Sequence, residues 1–180
     1  MANIHYSNSG GTGPQGPTGP KGDTGPQGPS GAAALYSASY WSTVTQGPYA
    51  ANSIHALTLN STDWQTGIVL QNNSQVKMTN AGKYNIAFSA QLYQPQGNSV
   101  VNIWLAKNGT AVPQSNTKVD VNANNPWVVA AWNFFVNANS GDYYELIFSS
   151  DSNNTVIQAA SPDQGHPDIP SVILTVNQVG

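Results

Sequence analysis

Glycine stands at positions 10, 13, 16, 19, 22, 25, 28 and 31, every third residue without a break through GGTGPQGPTGPKGDTGPQGPSG. Proline follows directly after Gly13, Gly16, Gly19, Gly25 and Gly28. Three polyproline II chains can wind about a common axis only where every third residue lacks a side chain, because nothing larger than hydrogen fits at that axis. A flexible Pro/Gly linker needs the composition but not the strict period. A single chain gains nothing from the pattern. The repeat therefore predicts three chains with Gly10, Gly13, Gly16, Gly19, Gly22, Gly25, Gly28 and Gly31 at the shared axis.

The position before each following glycine carries Gln15, Thr18, Lys21, Thr24, Gln27 and Ser30, never proline. This collagen-like repeat has no call for hydroxyproline, and a bacterial or viral source is expected rather than an animal secretory one. Lys21 and Asp23 can pair between staggered chains, but an exposed pair contributes only about 0–1 kcal/mol. At about 3 Å per residue the stalk is about 65 Å long, too short to be expected to stay wound alone. A neighbouring domain must hold the chains together.

The sequence divides into an N-terminal segment 1–9, the stalk 10–31 and a remainder 32–180 long enough for one domain with a sizeable core. Charged residues make up only 7% of the 180 residues, and the net charge is -3. No arginine occurs, so the electrostatic footprint of a nucleic-acid-binding protein is missing. Cysteine is absent, which excludes a disulfide framework, a zinc knuckle and a thiol nucleophile. No apolar run reaches the length of a membrane span, and MANIHYSNSG lacks the basic-then-apolar order of a secretory signal. The expectation is a protein assembled inside a cell into a particle, with residues 1–9 docking onto its other components.

After Ala34 the periodicity is that of strands. Tyr84, Ile86, Phe88 and Leu92 fall on one face of a segment that begins after the turn Asn80-Ala81-Gly82. Val101, Ile103 and Leu105 alternate into Asn108-Gly109, the favoured pair for a type I′ hairpin, with a return strand expected through Val112 and Val119 to Val121. Residues 127–136 are apolar on both faces, with Val128, Ala130, Trp132 and Phe134 on one and Trp127, Val129 and Phe135 on the other. A sandwich buries only the inner face, so Trp127, Val129 and Phe135 are expected to line a trimer interface. Further strands are expected over 143–148 and 172–176. Short strands separated by frequent turns predict an all-β sandwich of the jelly-roll type.

The order of AGKYNIAFS (81–89), VNIWLAKNG (101–109), SGDYYEL (140–146) and SVILTV (171–176) resembles the trimeric heads of the complement first component and the tumour-necrosis-factor superfamily. The resemblance covers about residues 35–180 and implies a ten-stranded jelly roll forming compact homotrimers, often on a collagen stalk. Stalk and head together look most like the collagen-stalked fibre proteins of tailed bacteriophages. That likeness implies a virion structural protein, a homotrimer held to other virion proteins by its N-terminus. It would stand on the virion surface after assembly in the host cytoplasm, without nucleic acid or membrane insertion, and contact a host-surface glycan. The alternatives are a collagen-like protein of a bacterial surface or spore coat, and a head that trimerises and decorates without binding a receptor.

Chemistry-bearing constellations are few. Asp163, His166 and Asp168 in PDQGHPDIP could offer metal ligands, but a polar surface loop explains them equally, and no metal or cofactor is expected. Asp142 and Glu145, three apart on a strand, fall on opposite faces and make no acid/base pair. Nucleophile-elbow, zinc-protease and phosphate-loop motifs are missing from the sequence, and no enzyme is expected. His5 and His55 stand alone as ordinary polar residues. Tyr36, Tyr40, Trp41, Trp64, Tyr93 and Trp127 are candidates for receptor contact, each weighed against packing. For the stalk, the full chain should show triple-helical circular dichroism that Gly19→Ala or Gly22→Ala abolishes. A signal that survives both substitutions would mean an unwound linker.

Overall fold

The computed structural model describes residues 36–180 together with 10, 11, 13–17, 19 and 21. The attachment segment 1–9 and Gly22, Gly25, Gly28 and Gly31 lie outside the described residues. By its contacts the chain divides into two units, Met1–Gly31 and Ala32–Gly180. In the first, the described residues are exposed and without regular secondary structure. The second is all β.

Its strands are β1 (Ser37–Ser42), β2 (His55–Ala56), β3 (Ser61–Thr66), β4 (Ile68–Gln71), β5 (Gln75–Met78), β6 (Gly82–Tyr93) and β7 (Asn98–Lys107). There follow β8 (Thr110–Ala111), β9 (Thr117–Asn122), β10 (Trp127–Ala138), β11 (Tyr143–Ser150), β12 (Val156–Ile157) and β13 (Val172–Gln178). One sheet runs β10-β6-β13-β1-β3 with β12 on β6, and the other β4-β5-β11-β7-β8 with β2 on β11 and β9 on β7. Every pairing among them is antiparallel. First and last strands lie side by side, Ser37 opposite Asn177 and Ser42 opposite Val172. Two facing antiparallel sheets with long crossovers make a jelly-roll sandwich, as the strand pattern predicts. The ten strands implied by the resemblance become thirteen segments here, because β2, β8 and β12 are two-residue pieces.

β6 realises its alternation in full. Tyr84, Ile86, Phe88, Ala90 and Leu92 are buried between the sheets, facing a core to which β7 and β11 bring Ile103, Leu105, Leu146 and Phe148. Each aromatic or aliphatic side chain so buried stabilises by about 1.5–3 kcal/mol. Phe88 also meets Trp132 edge-on at 4.6 Å between ring centroids. Polar groups inside are bonded, except the Trp132 Nε1–H, which is buried without a hydrogen-bond partner among the described residues. Ser99, Ser150 and Thr155 link their hydroxyls at 2.7–2.8 Å, and the Thr155 hydroxyl also lies 2.9 Å from Gln94 Oε1. That buried knot ties β7, β11 and the approach to β12 together, and satisfied groups of this kind favour one packing over others.

The Asn108-Gly109 hairpin forms as expected, with φ of 50° and 80°, the pair of positive values a type I′ turn requires. The return strand reaches Val121 as expected, opposite Ser99, but not in one piece. It stops at Ala111, residues 112–116 loop out, and pairing with β7 resumes at Thr117 opposite Ile103. The physical cause is Ser115, whose buried hydroxyl inserts into the ladder: Leu105 N–H donates to Ser115 Oγ at 3.0 Å and Ser115 Oγ donates to Val112 O at 2.8 Å.

A second junction holds the same hairpin to the turn before β11. Asp142 Oδ2 takes Lys107 Nζ at 2.7 Å and the Asn139 N–H at 2.7 Å, while Oδ1 takes Asn108 Nδ2 at 2.8 Å. The Lys107 bond first, then those from Asn108 and Asn139, holds the Asp142 carboxyl down to about 2. Asp142 also raises the pKa of Lys107. Glu145 is elsewhere, accepting from Ser74 Oγ at 2.7 Å. Because the folded-state value lies below that of an unfolded aspartate, the stabilisation is complete above about pH 4. It is lost as pH falls through about 2. Asp142→Asn should lower stability by about 1 kcal/mol at pH 7, since the pair is partly solvated. Thermal melts should show the gap between wild type and variant closing from pH 5 to pH 2; a gap that stays constant would refute the assignment.

Candidate interaction face

A β-strand in a sandwich turns alternate side chains outward, and on the sheet β10-β6-β13-β1 those outward positions form one surface. β10 contributes Trp127, Val129, Ala131, Asn133 and Phe135, and the residues opposite them on β6 are Tyr93, Gln91, Ser89, Ala87 and Asn85. β13 adds Ile173, Thr175 and Asn177 opposite Ser89, Ala87 and Asn85. β1 adds Ser37, Ser39 and Trp41. None of these residues is charged. Charge enters only at the margins, with Lys83 at one end of β6 and with Asp63 and Asp168 beside Trp41 in a hollow of about 370 Å³.

Phe135 is 72% exposed, Val129 57% and Trp127 44%, so the three residues singled out from the sequence all lie on this surface. Their strand is an edge, paired to β6 alone. Trp127 leans on Tyr93 at 4.6 Å between centroids. The centre is low and small-residued: Ala87, Ser89, Ile173 and Thr175 border a shallow hollow of about 220 Å³. Beside it Asn133 Nδ2 donates to Asn85 Oδ1 at 2.8 Å and Asn85 Nδ2 to Asn177 Oδ1 at 3.4 Å. An exposed face of this kind, apolar at its edge and bonded within itself, marks an interaction surface.

The other expected positions scatter. Gly10, Gly13, Gly16 and Gly19 have no described atom within 4 Å of where a Cβ would stand. Nothing within the described chain therefore requires glycine there. Tyr40 is not available for contact: it is fully buried, its hydroxyl shared between Gln65 Oε1 at 3.1 Å and Ile68 O at 3.2 Å. Burial pushes its phenol up to about 12. The Tyr36 ring packs over Gly67 where a side chain would stand, and the φ of 66° there favours glycine as well. Trp64 is exposed and donates from Nε1 to Ser37 Oγ at 3.2 Å. His55 does not stand alone: it stacks on Tyr49 at 3.7 Å, with Ser53 Oγ 2.8 Å from Nε2. Asp163 and His166 face each other across a tight turn, the His166 N–H donating to Asp163 O at 2.7 Å. Asp168 lies apart from them, in the hollow beside Trp41. Among the described residues no three His, Cys, Asp or Glu side chains are placed to hold a metal ion.

Sequence reasoning passed over Trp104. It lies in the alternation that puts Val101, Ile103 and Leu105 inward, and the same alternation puts Asn102 and Trp104 outward. The signal was present in the phase of the strand. Trp104 lines a groove of about 280 Å³ on the seven-stranded sheet.

No protein-family model matches the sequence, and neither does any curated protein. Solved structures do match. The head is similar in fold to murine APRIL. The APRIL crystal structures at pH 8.5 and pH 5.0 each superpose with a TM-score of 0.53, at 7% and 6% identity. The one at pH 8.0 gives 0.52 at 9% identity. Each alignment covers 81% of this chain and 99% of the APRIL chain. APRIL is a jelly roll of the tumour-necrosis-factor kind, so the fold implied by the motifs at 81–89, 101–109, 140–146 and 171–176 is the fold found. At this identity the likeness speaks of the fold alone.

Proposed function

We propose that this chain is a homotrimeric fibre protein of a bacteriophage virion, with residues 1–9 attached to other virion proteins, residues 10–31 wound as a triple helix, and the jelly-roll head displayed for adhesion to the host surface. The observation that carries the reading is the uncharged outward face of β10-β6-β13-β1, with Phe135 and Val129 more than half exposed. Bulky apolar side chains exposed along the edge of an uncharged face favour a covering partner, and the period-three glycines of the sequence, of which Gly10, Gly13, Gly16 and Gly19 meet no described atom that would exclude a Cβ, favour three identical chains. Threefold closure buries the face of each copy against its neighbours and holds the three stalks in register. The head thus supplies the association that a stalk of about 65 Å lacks. The fold similarity supports the reading as far as homotrimers go, because neighbours of the tumour-necrosis-factor kind are homotrimeric. A head carried at the far end of a stalk is placed for contact, and its loops of Asn, Ser and Gln suit binding rather than turnover.

Two experiments test this. Light scattering on the full chain at micromolar concentration should give three times its 18.9 kDa mass. Val129→Asp with Phe135→Asp should reduce it to a monomer with unchanged β circular dichroism, since both side chains are exposed in the single chain. A trimer that survives the double substitution would remove this face from the interface. For adhesion, purified trimer should be retained on host cells and not on non-host cells; negligible retention on both would leave a head that only trimerises and decorates.

A further inference from the structure

The groove at Trp104 lies on the opposite sheet from the apolar face, so trimerisation through that face leaves it open. Trp104, Ala111 and Val112 give it an apolar floor, and Asn102, Gln114 and Asn116 give it a rim of amides. Ser149, opposite Asn102 on β11, adds a hydroxyl. All of these residues are uncharged. At about 280 Å³ the space lies just under the smallest small-ligand sites, which begin at about 300 Å³.

The groove is also built. Residues 112–116 fold over β7 instead of continuing the return strand, and both backbone groups of Leu105, next to Trp104, hold them: its N–H donates to the buried Ser115 hydroxyl at 3.0 Å and its C=O accepts from the Val112 N–H at 2.8 Å. Gln114 is held at a φ of 62°. A non-glycine residue there is strained, and strain of this kind collects at binding sites. On the rim Asn116 Nδ2 donates to Asn102 Oδ1 at 3.0 Å. That bond orients the two amides and leaves the Asn102 NH₂ as donor and the Asn116 carbonyl as acceptor, side by side. Trp104 stacks on no other aromatic ring among the described residues, so its indole face has no aromatic partner of its own.

We propose that this groove binds a neutral saccharide, one face of the sugar ring lying on the Trp104 indole and adjacent hydroxyls bonded by Asn102, Gln114 and Asn116. A pyranose presents just this pairing, an apolar C–H face and a rim of hydroxyls that each donate and accept. An apolar ligand would leave the three amides desolvated without partners, which weakens its binding. An anionic ligand finds no cation in the lining, although Lys118 stands beside Asn102 across the β7–β9 ladder. Three grooves in one trimer let weak single-site binding act together, by a factor of about 100 or more on a dense surface. The inference deepens the adhesion reading and rests on it for the source of the sugar.

The test uses the full chain on an array of neutral hexose and N-acetylhexosamine oligosaccharides, with sialylated and sulfated ones alongside, and on host cells. Binding is expected on the neutral arm, falling at least 10-fold with Trp104→Ala and less with Trp104→Phe. Asn116→Ala should lower it about fivefold, and mass by light scattering should not change in any variant. Neutral binding that persists in both Trp104→Ala and Asn116→Ala overturns the site. So does binding confined to acidic glycans and lost with Lys118→Ala. If wild type and Trp104→Ala are retained equally on host cells, the site fails while adhesion stands. If Trp104-dependent binding appears on the neutral arm but no host cell retains the protein, the site stands and the adhesion reading fails.

Discussion

A sandwich covers one face of each of its sheets, and β10 carries bulky apolar side chains on both of its faces. Phe134 and Trp132 go inward against Phe88, and Phe135, Val129 and Trp127 go outward to solvent. At about 25 cal/mol per Å² of apolar surface removed from water, leaving that outer face uncovered forgoes a substantial stabilisation. The position of β10 sharpens the point, since it is an edge strand whose second flank has no partner in its sheet. Natural sheets protect such edges with charge, proline or a covering element. β10 contains no charged residue and no proline, so a covering element is what its chemistry asks for.

Scarcity of charge shapes the rest of the molecule as well. With 13 charged residues in 180, five Lys and eight Asp or Glu, ion pairs cannot carry the architecture. The one salt bridge among the described side chains, Lys107 to Asp142, sits where two turns meet. Asn and Ser do the work elsewhere. Asn108 bonds both Asp142 and the Tyr143 N–H, Asn60 bonds Thr43 through its N–H and its hydroxyl, and Ser115 splits a strand pair to raise a loop. Neutral hydrogen bonds of this sort are worth about 1 kcal/mol each and lose little to salt, which suits a surface that has to keep its shape in varied media.

The two outward faces of the sandwich are therefore different. One is an uncharged surface with its bulky apolar residues at an edge. The other carries a groove of about 280 Å³ lined by one indole and three amides. Both are neutral.

What could be read from the sequence alone were features whose cause is local. The glycine period is legible from spacing alone, Tyr84 to Leu92 alternate strongly enough to choose their own face, and Asn108-Gly109 can take positive φ without help from elsewhere. Trp127, Val129 and Phe135 were legible as an outer face because the run is apolar in both phases. The segment from Ser61 to Met78 was not legible as three strands, since STDWQT is polar apart from Trp64, shows no apolar alternation, and takes its place as a strand by pairing with β1. Tyr40 and Trp41 are neighbours of similar character on opposite faces, and the core decided that Tyr40 goes in. Trp104 could be placed on an outward face by counting, but the groove exists only because Ser115, ten residues away, turns back onto Leu105. Which strands become neighbours, and so which side chains share a surface, depends on pairings such as that of β6 with β13, about 90 residues apart in the chain. No local pattern encodes contacts at that separation; packing of the whole sandwich selects them.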